Sequence, residues 1–222
     1  STSGTVGCFR NEAEHADEEA PYCEAEVRGW PYYASKIKAE QAAQKLARES
    51  GVELVIIRPP IMLGPGDHRF RSTGHVIRFL RRRLPFLIRG GIHFVDIRDA
   101  AKALIAAMQH PAPKGVYHLQ GTACSIERFF GQLEEISGVP QPRFHLPFPL
   151  AWGLAKADEW LGLRFRGEPL SLLPDPVVVE MATRYWGVRS NYAAEDLGFA
   201  PRDAKETLTD TVRWLRQNRG DC

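Results

Sequence analysis

Residues 31–60 read PYYASKIKAEQAAQKLARESGVELVIIRPP, and their order decides the fold class. The stretch from Pro31 to Ser50 is dense in Ala, Lys, Glu and Gln, side chains that lose little freedom in a helix. Pro31 suits a first helical turn, where its missing N–H costs nothing, and Gly51 stands where a helix stops. Ile37, Ala42 and Leu46 supply only a thin apolar stripe. VELVIIRPP follows, a β-branched run closed by two prolines, which reads as a buried parallel strand. A helix running directly into such a strand is half of a βαβ alternation.

The alternation continues downstream. IHFVDIRDAAKALIAAMQH (residues 92–110) predicts a strand and then a helix starting near Asp99, with Ala101, Leu104, Ile105 and Met108 on one face. GVYHLQG predicts another short strand. SIERFFGQLEEISGV predicts a helix capped by Ser125, with Phe129, Leu133 and Ile136 at helical spacing and a stop at Gly138. In DAKE, Asp203 and Glu206 have capping-box spacing ahead of a stripe of Leu208, Val212 and Leu215. Residues 139–200 are rich in Pro with scattered aromatics and read as a mostly helical lobe, whereas NEAEHADEEAPYCEAE reads as a solvated loop. The fold class predicted is α/β: the C-terminal part of a Rossmann-type doubly wound parallel sheet with a smaller, mainly helical substrate lobe. Residues 1–120 hold its later strands and helices, with a substrate-side insertion at about 61–92, and 121–222 hold the lobe and a closing helix.

Composition narrows the class. The 222 residues are 44% hydrophobic and 25% charged with a net charge of +2, too weak a balance to argue for nucleic acid. Cys8, Cys23, Cys124 and Cys222 form no CxxC pair, and sparse thiols fit a reducing cytoplasm better than a disulfide framework. His68, His75, His93 and His118 have no metal-ligand spacing, so surface or core roles are expected and no metal site is assigned. The most apolar stretch, FHLPFPLAWGLAKADEWLGL, carries Lys156, Asp158 and Glu159 and cannot span a bilayer. Arg78, Arg81, Arg82, Arg83 and Arg89 cluster in RFLRRRLPFLIR. They read as a solvated helix face, a phosphate grip, or a membrane-surface patch beside Phe79, Leu80, Phe86 and Leu87.

Among the six tyrosines only Tyr32 has a lysine four residues later, Lys36. On a helix that spacing stacks both side chains on one face. A nearby ammonium favours the phenolate, which is what a tyrosine general acid/base needs. The same spacing also occurs as a solvated surface pair.

Context separates the two. STSGTVG at the start, YYASKIKAE, IIRPPIMLGPGD, HFVDIRDAAKALIAAM, GVYHLQG and YAAEDLGFAPRDAKETLTDTVRWL stand in the order found in the extended short-chain dehydrogenases. The chain resembles that group, the NAD-dependent epimerase/dehydratase family, over essentially its whole length. GPGDHRFRSTGHVIRFLRRRLPFLIRGGIHFVDIRD resembles its dihydroflavonol-reductase-like and hopanoid-associated epimerase-like branch. The resemblance implies Tyr32 as general acid/base, Lys36 as the residue that lowers its pKa and binds the nicotinamide ribose, and Thr2, with Ser3 as neighbouring alternative, as the hydroxyl that orients the substrate oxygen. It places Pro59 and the backbone of Ile61 beside the nicotinamide, and implies NAD or NADP as cofactor. The activity implied is hydride transfer at a carbonyl/alcohol carbon of a small-molecule substrate, with nucleotide-sugar epimerisation or dehydration by the same machinery, or a non-catalytic family member, as alternatives. A cytoplasmic protein is implied; peripheral contact with a membrane or lipid-like substrate and a homodimer stay open.

Asp96 and Asp99 are expected to cap a helix and tie the lobe to the sheet, and Tyr185 and Trp186 to pack the lobe. The family's glycine-rich phosphate turn has no match. Gly4 and Gly7 lack a third glycine, and GPGDHR puts Arg69 where that glycine belongs. The expectation is a chain that lacks roughly a hundred residues of a doubly wound domain, either as a fragment or by loss. Calorimetric titration of this chain with NAD is therefore expected to show little or no binding; a micromolar site overturns that reading.

Overall fold

The computed structural model describes residues 1–166 and 173–219, and Cys222 lies outside them. After a short 3₁₀ turn, Ser3–Thr5, come α1 (Glu24–Val27), α2 (Pro31–Ser50), β1 (Ile56–Arg58), β2 (Ile61–Leu63) and α3 (Gly74–Leu80). Then follow β3 (Gly91–Asp96), α4 (Ile97–Gln109), β4 (Val116–His118), β5 (Thr122–Ser125) and α5 (Ile126–Ser137). The chain continues through α6 (Phe148–Arg166), α7 (Pro176–Met181), α8 (Asn191–Leu197) and α9 (Ala204–Asn218).

Two small sheets result. β1 pairs in parallel with β4, Ile57 opposite Tyr117. β2 pairs in parallel with β3, and β5 returns antiparallel on β3, Phe94 facing both Ile61 and Thr122. Pro59 and Pro60 separate β1 from β2 and send the chain from one sheet to the other, as residues without a ladder N–H must. On the first sheet, Ala100, Ala103 and Ala107 of α4 lie against Ile57, Tyr117 and Leu119. On the second, α3, α5 and α9 bury Phe79, Phe129, Leu133, Leu208, Val212 and Leu215 around Leu63 and Phe94.

The end signals hold. Pro31 opens α2 and Gly51 closes it at φ 69°, a left-handed turn that favours glycine. Ser125 Oγ accepts the Arg128 N–H, and Gly138 closes α5 at φ 74°. Asp203 accepts from the Lys205 and Glu206 N–H groups, but Glu206 turns to Arg202 at 2.9 Å, so only half of the capping box forms.

Three faces differ from the pattern. Leu104, Ile105 and Met108 of α4 do share a face, and it points outward. The side turned to the sheet is the alanine side, with Ala100, Ala103 and Ala107 packed in one buried cluster with Tyr117. In α2, Ala42 and Leu46 are exposed, and the buried line is Tyr33, Ile37 and Glu40. The acidic stretch is not free in solvent: Ala16 bridges to Val188, and the Glu18 carboxylate, buried, accepts the Tyr192 N–H at 3.2 Å.

His93 and His118 are fully buried and His75 is half-buried. His93 accepts the Gly121 N–H through Nε2 at 3.0 Å, so its Nδ1–H donates to the Trp186 carbonyl at 2.7 Å, and the ring is neutral. Burial pushes His75, His93 and His118 down to about 4, with the Arg58 charge adding to it at His118. A folded value below the unfolded one means that the unfolded chain binds more protons on acidification. Stability is then complete above the ordinary histidine value of 6.5 and falls as pH drops toward 4. Each histidine contributes up to roughly 3 kcal/mol to that loss. Urea midpoints measured across this range should fall steeply; a flat profile is the contrary result.

Candidate active site

The Thr2–Thr5 turn is fixed from three sides. The Ser3 N–H donates to the Pro59 carbonyl at 2.9 Å, continuing the end of β1 outward. Thr2 caps the turn, its Oγ1 accepting the Gly4 N–H at 3.4 Å. Gly4 lies so close to α2 that a Cβ there would be 2.1 Å from the Tyr33 ring, which explains the glycine by space alone. Below it, the Thr5 hydroxyl donates to the Thr2 carbonyl at 2.9 Å and lies 3.3 Å from Glu40 Oε1, and the Ser1 hydroxyl bonds Glu40.

Tyr32 and Lys36 stand on the first turns of this same helix. Tyr32 is 56% exposed, and Lys36 Nζ lies 5.7 Å from its ring centroid. The buried neighbour Tyr33 meets Tyr32 edge-on at 5.1 Å and stacks on Trp186 at 5.0 Å, with Trp30 completing the aromatic wall. The structure therefore brings the hydroxyl turn, the Tyr–Lys pair and Pro59 to one region. Ile61, in β2 opposite Phe94, starts the second sheet two residues beyond Pro59. Trp186 packs there as expected, and Tyr185 exchanges backbone hydrogen bonds with Phe9. Cys8 and Cys23, far apart in sequence, meet beneath the same wall, and with Cys124 they are free and buried.

One electrostatic expectation is corrected. Burial pushes the Tyr32 phenol up, and Lys36, placed over the ring instead of against the oxygen, does not offset this. The phenol is accordingly protonated at neutral pH. No described residue hydrogen-bonds the Tyr32 hydroxyl or the Lys36 ammonium, so both are free for a ligand.

The pattern in the sequence gave no notice of the group beneath the site. Glu40 and Arg58 are each 4% exposed, and Arg58 forks onto Glu40 through Nε at 3.2 and 3.1 Å and Nη2 at 2.6 Å. The Tyr22 hydroxyl donates to Glu40 at 2.9 Å, and Arg58 Nη1 donates to His118 Nε2 at 3.2 Å. Burial by itself would raise the Glu40 carboxyl; Arg58 and the Ser1 and Tyr22 hydroxyls outweigh it and hold it below its ordinary value. The available signal was a charge in phase with Tyr33 and Ile37 on α2, matched by a charge in the β-branched run of β1.

Asp96 caps α4 through the Arg98 N–H at 2.8 Å, and Asp99 takes Arg202 through its backbone N–H at 2.9 Å and Nη2 at 2.8 Å. Together they tie the segment entering α9 to the sheet, as expected of them. Asp67 turns the GPGDHR loop by accepting the Ser72 and Thr73 N–H groups, both at 2.9 Å, just ahead of the first turn of α3. Among the described residues no cluster suits a metal ion, and no helix is long and apolar enough to cross a membrane.

This fold and this tyrosine helix define a class, and comparison identifies it. Residues 1–119 match the NAD dependent epimerase/dehydratase family, and the chain belongs to that family. It is 32% identical over 193 residues to cinnamoyl-CoA reductase 1 of Arabidopsis thaliana, covering 86% of this chain and 47% of the relative. It is 28% identical over 170 residues to sterol demethylase protein B of Methylococcus capsulatus, covering 75% and 51%. A nucleoside-diphosphate-sugar epimerase from Pseudomonas aeruginosa superposes with a TM-score of 0.76 at 20% identity, over 98% of this chain and 65% of that one. The chain spans about half the length of the curated relatives it matches.

Replacing Arg58 by Met strands the Glu40 carboxylate in the interior, which should cost about 3–5 kcal/mol in urea unfolding. Gly4→Ala forces a methyl into the Tyr33 ring and should cost about 1–3 kcal/mol. A loss under about 1 kcal/mol in Arg58→Met means that the pair is not what holds α2 on β1.

Proposed function

We propose that the protein to which these residues belong is an NAD(P)-dependent oxidoreductase that interconverts a carbonyl and an alcohol on a small-molecule substrate. The observation that carries this reading is the docking of the Thr2–Thr5 turn on the helix that presents Tyr32 and Lys36, through the close approach of Gly4 to Tyr33. Likeness to a reductase at 32% identity supports reduction over epimerisation.

In this reading the substrate oxygen sits between the Tyr32 hydroxyl and the hydroxyl of Thr2, with Ser3 as the alternative. Tyr32 is protonated in this environment, so in the reductive direction it donates its proton to the developing alkoxide. Thr2 orients that oxygen by a hydrogen bond. A bound nicotinamide supplies or accepts the hydride at the carbon. Lys36 would hold the nicotinamide ribose, and Pro59 and the backbone of Ile61 would flank the carboxamide. The Tyr32 hydroxyl, on an exposed side chain, and the half-buried Lys36 ammonium, neither hydrogen-bonded to a described residue, fit that end of a dinucleotide; none of the described residues forms a glycine-rich phosphate cradle, so the pyrophosphate and adenine contacts are assigned to no residue of this chain. During the reverse reaction Lys36 stabilises the phenolate once its ammonium swings from the ring face to the oxygen.

Turnover in the natural full-length polypeptide tests the proposal. Tyr32→Phe should lower kcat by a factor of about 10²–10⁴, with nicotinamide affinity retained by fluorescence titration. Unchanged kcat in that variant removes the proposed chemistry.

A further inference from the structure

The second lobe carries an outward face that the chemistry above does not use. Along α6, Ala151 and Ala155 are buried against Ile88 and Val179, which fixes the inner side of the helix. Leu150, Leu154 and Leu161, at helical spacing on the other side, are 59%, 50% and 39% exposed, and Trp160 is 61% exposed. No charged residue interrupts that outer line between Leu150 and Leu161, a length of roughly 16 Å; Lys156, Asp158 and Glu159 fall on the flanks by their spacing. The approach to the helix adds Phe144 and Phe148, 76% and 39% exposed.

The arginine cluster lies on the segment that pairs with the approach to this helix. Leu87 pairs with the 144–146 segment, the Leu87 N–H donating to the Phe144 carbonyl at 2.8 Å and the Leu146 N–H to the Leu87 carbonyl at 2.9 Å. A groove of about 260 Å³ runs between Arg82, Leu84 and Pro85 on one bank and Pro142, Arg143 and Phe144 on the other. Phe79, Leu80 and Leu87, the apolar residues nearest the cluster in sequence, are core instead. Arg82, Arg83 and Arg89 are exposed, and none of their side chains makes a hydrogen bond or ion pair with another described residue. The acids at the border are engaged: Glu134 with Arg143 at 3.2 Å, Glu127 with His145 at 3.6 Å and Glu159 with Lys156 at 3.1 Å.

We propose that the outer face of α6, with Phe144 and the Arg82–Arg83–Arg89 cluster, docks on an anionic lipid bilayer, the helix lying in the interfacial plane. Leucines with aromatic residues at the ends enter the acyl boundary, and arginines that pair with no described residue meet lipid phosphates. α6 itself does not span, consistent with the charges on its flanks. A second copy of the chain is the poorer occupant: a two-fold contact would confine two arginine clusters, and among the described residues Glu134 and Glu159 at the border already pair with Arg143 and Lys156. The enzyme would thereby work at the membrane surface, where an apolar substrate partitions.

Sedimentation of the whole chain with vesicles decides it, using phosphatidylcholine alone and phosphatidylcholine with about a third phosphatidylglycerol. Binding should be more than about tenfold tighter to the anionic vesicles and should weaken with salt. Leu154→Glu with Leu161→Glu, both outward-facing, should abolish it. Arg82→Gln with Arg83→Gln should cut the preference for anionic vesicles by about fivefold or more for each charge removed. The salt dependence of the unaltered chain carries the test even where a variant folds poorly. No vesicle binding overturns the proposal, as does equal binding by the glutamate variant. A concentration-dependent dimer, broken by Leu154→Glu in the absence of vesicle binding, assigns the face to a second copy and overturns it too.

Discussion

The buried ion pair between Glu40 and Arg58 is the constraint on which the rest of the site hangs. It joins the middle of α2 to β1, the two elements whose relative height sets where Tyr32 stands. Taking two charges out of water is costly, and the arrangement holds because each partner is hydrogen-bonded: Glu40 by Arg58, Ser1 and Tyr22, Arg58 by Glu40 and His118. Such a network admits one geometry, since a helix shifted by a turn would strand a charge in the interior. The hydroxyl turn is part of the same network, so the position of Thr2 and that of the Tyr–Lys pair are fixed together.

Above this network the packing is aromatic. Trp30, Tyr33 and Trp186 form a wall between α2 and the second lobe, and the Glu180 carboxylate receives both indole N–H groups, Trp30 at 3.1 Å and Trp152 at 2.8 Å. That one carboxylate connects the site helix to α6 and α7. The second lobe is thus mechanically continuous with the helix bearing the proposed acid/base. On the opposite flank, Asp96 and Asp99 do the equivalent work for α9 through Arg98 and Arg202.

Family membership and the proposed chemistry rest on different observations. The family follows from the match over residues 1–119 and agrees with the sheet topology. What supports the proposed chemistry is local: a phenol kept protonated, an ammonium one turn away, and a hydroxyl turn pressed onto the same helix. The outer face of α6 belongs to neither. It reflects a helix apolar on both sides, an arrangement that a helix inside a soluble core or one lying at an interface can carry, and here one side is left outward.

The short strands β2 and β5, and the antiparallel return of β5 on β3, were not legible in the sequence; what it determined by itself was the alternation of α2, β1, β3, α4, β4, α5 and α9, several of their ends and the family. Those are local properties: Pro31, Gly51, Ser125, Gly138 and Asp203 act through their own backbone angles and hydrogen bonds, and the Tyr32–Lys36 spacing is fixed by helical pitch. Periodicity also found the buried stripes of α5 and α9, where one face is apolar and the other polar. It failed where both faces of a helix could be buried. On α4 the alanines, not Leu104, Ile105 and Met108, face the sheet, where they pack with Tyr117 and Leu119 from another strand and its end. On α2 the inner face carries Glu40, because Arg58, eighteen residues away, makes its burial tolerable. The state of the Tyr32 phenol, likewise, depends on where Lys36 points and how much water remains around the ring. Each of these is a relation between residues distant in sequence, and only the tertiary structure sets such relations.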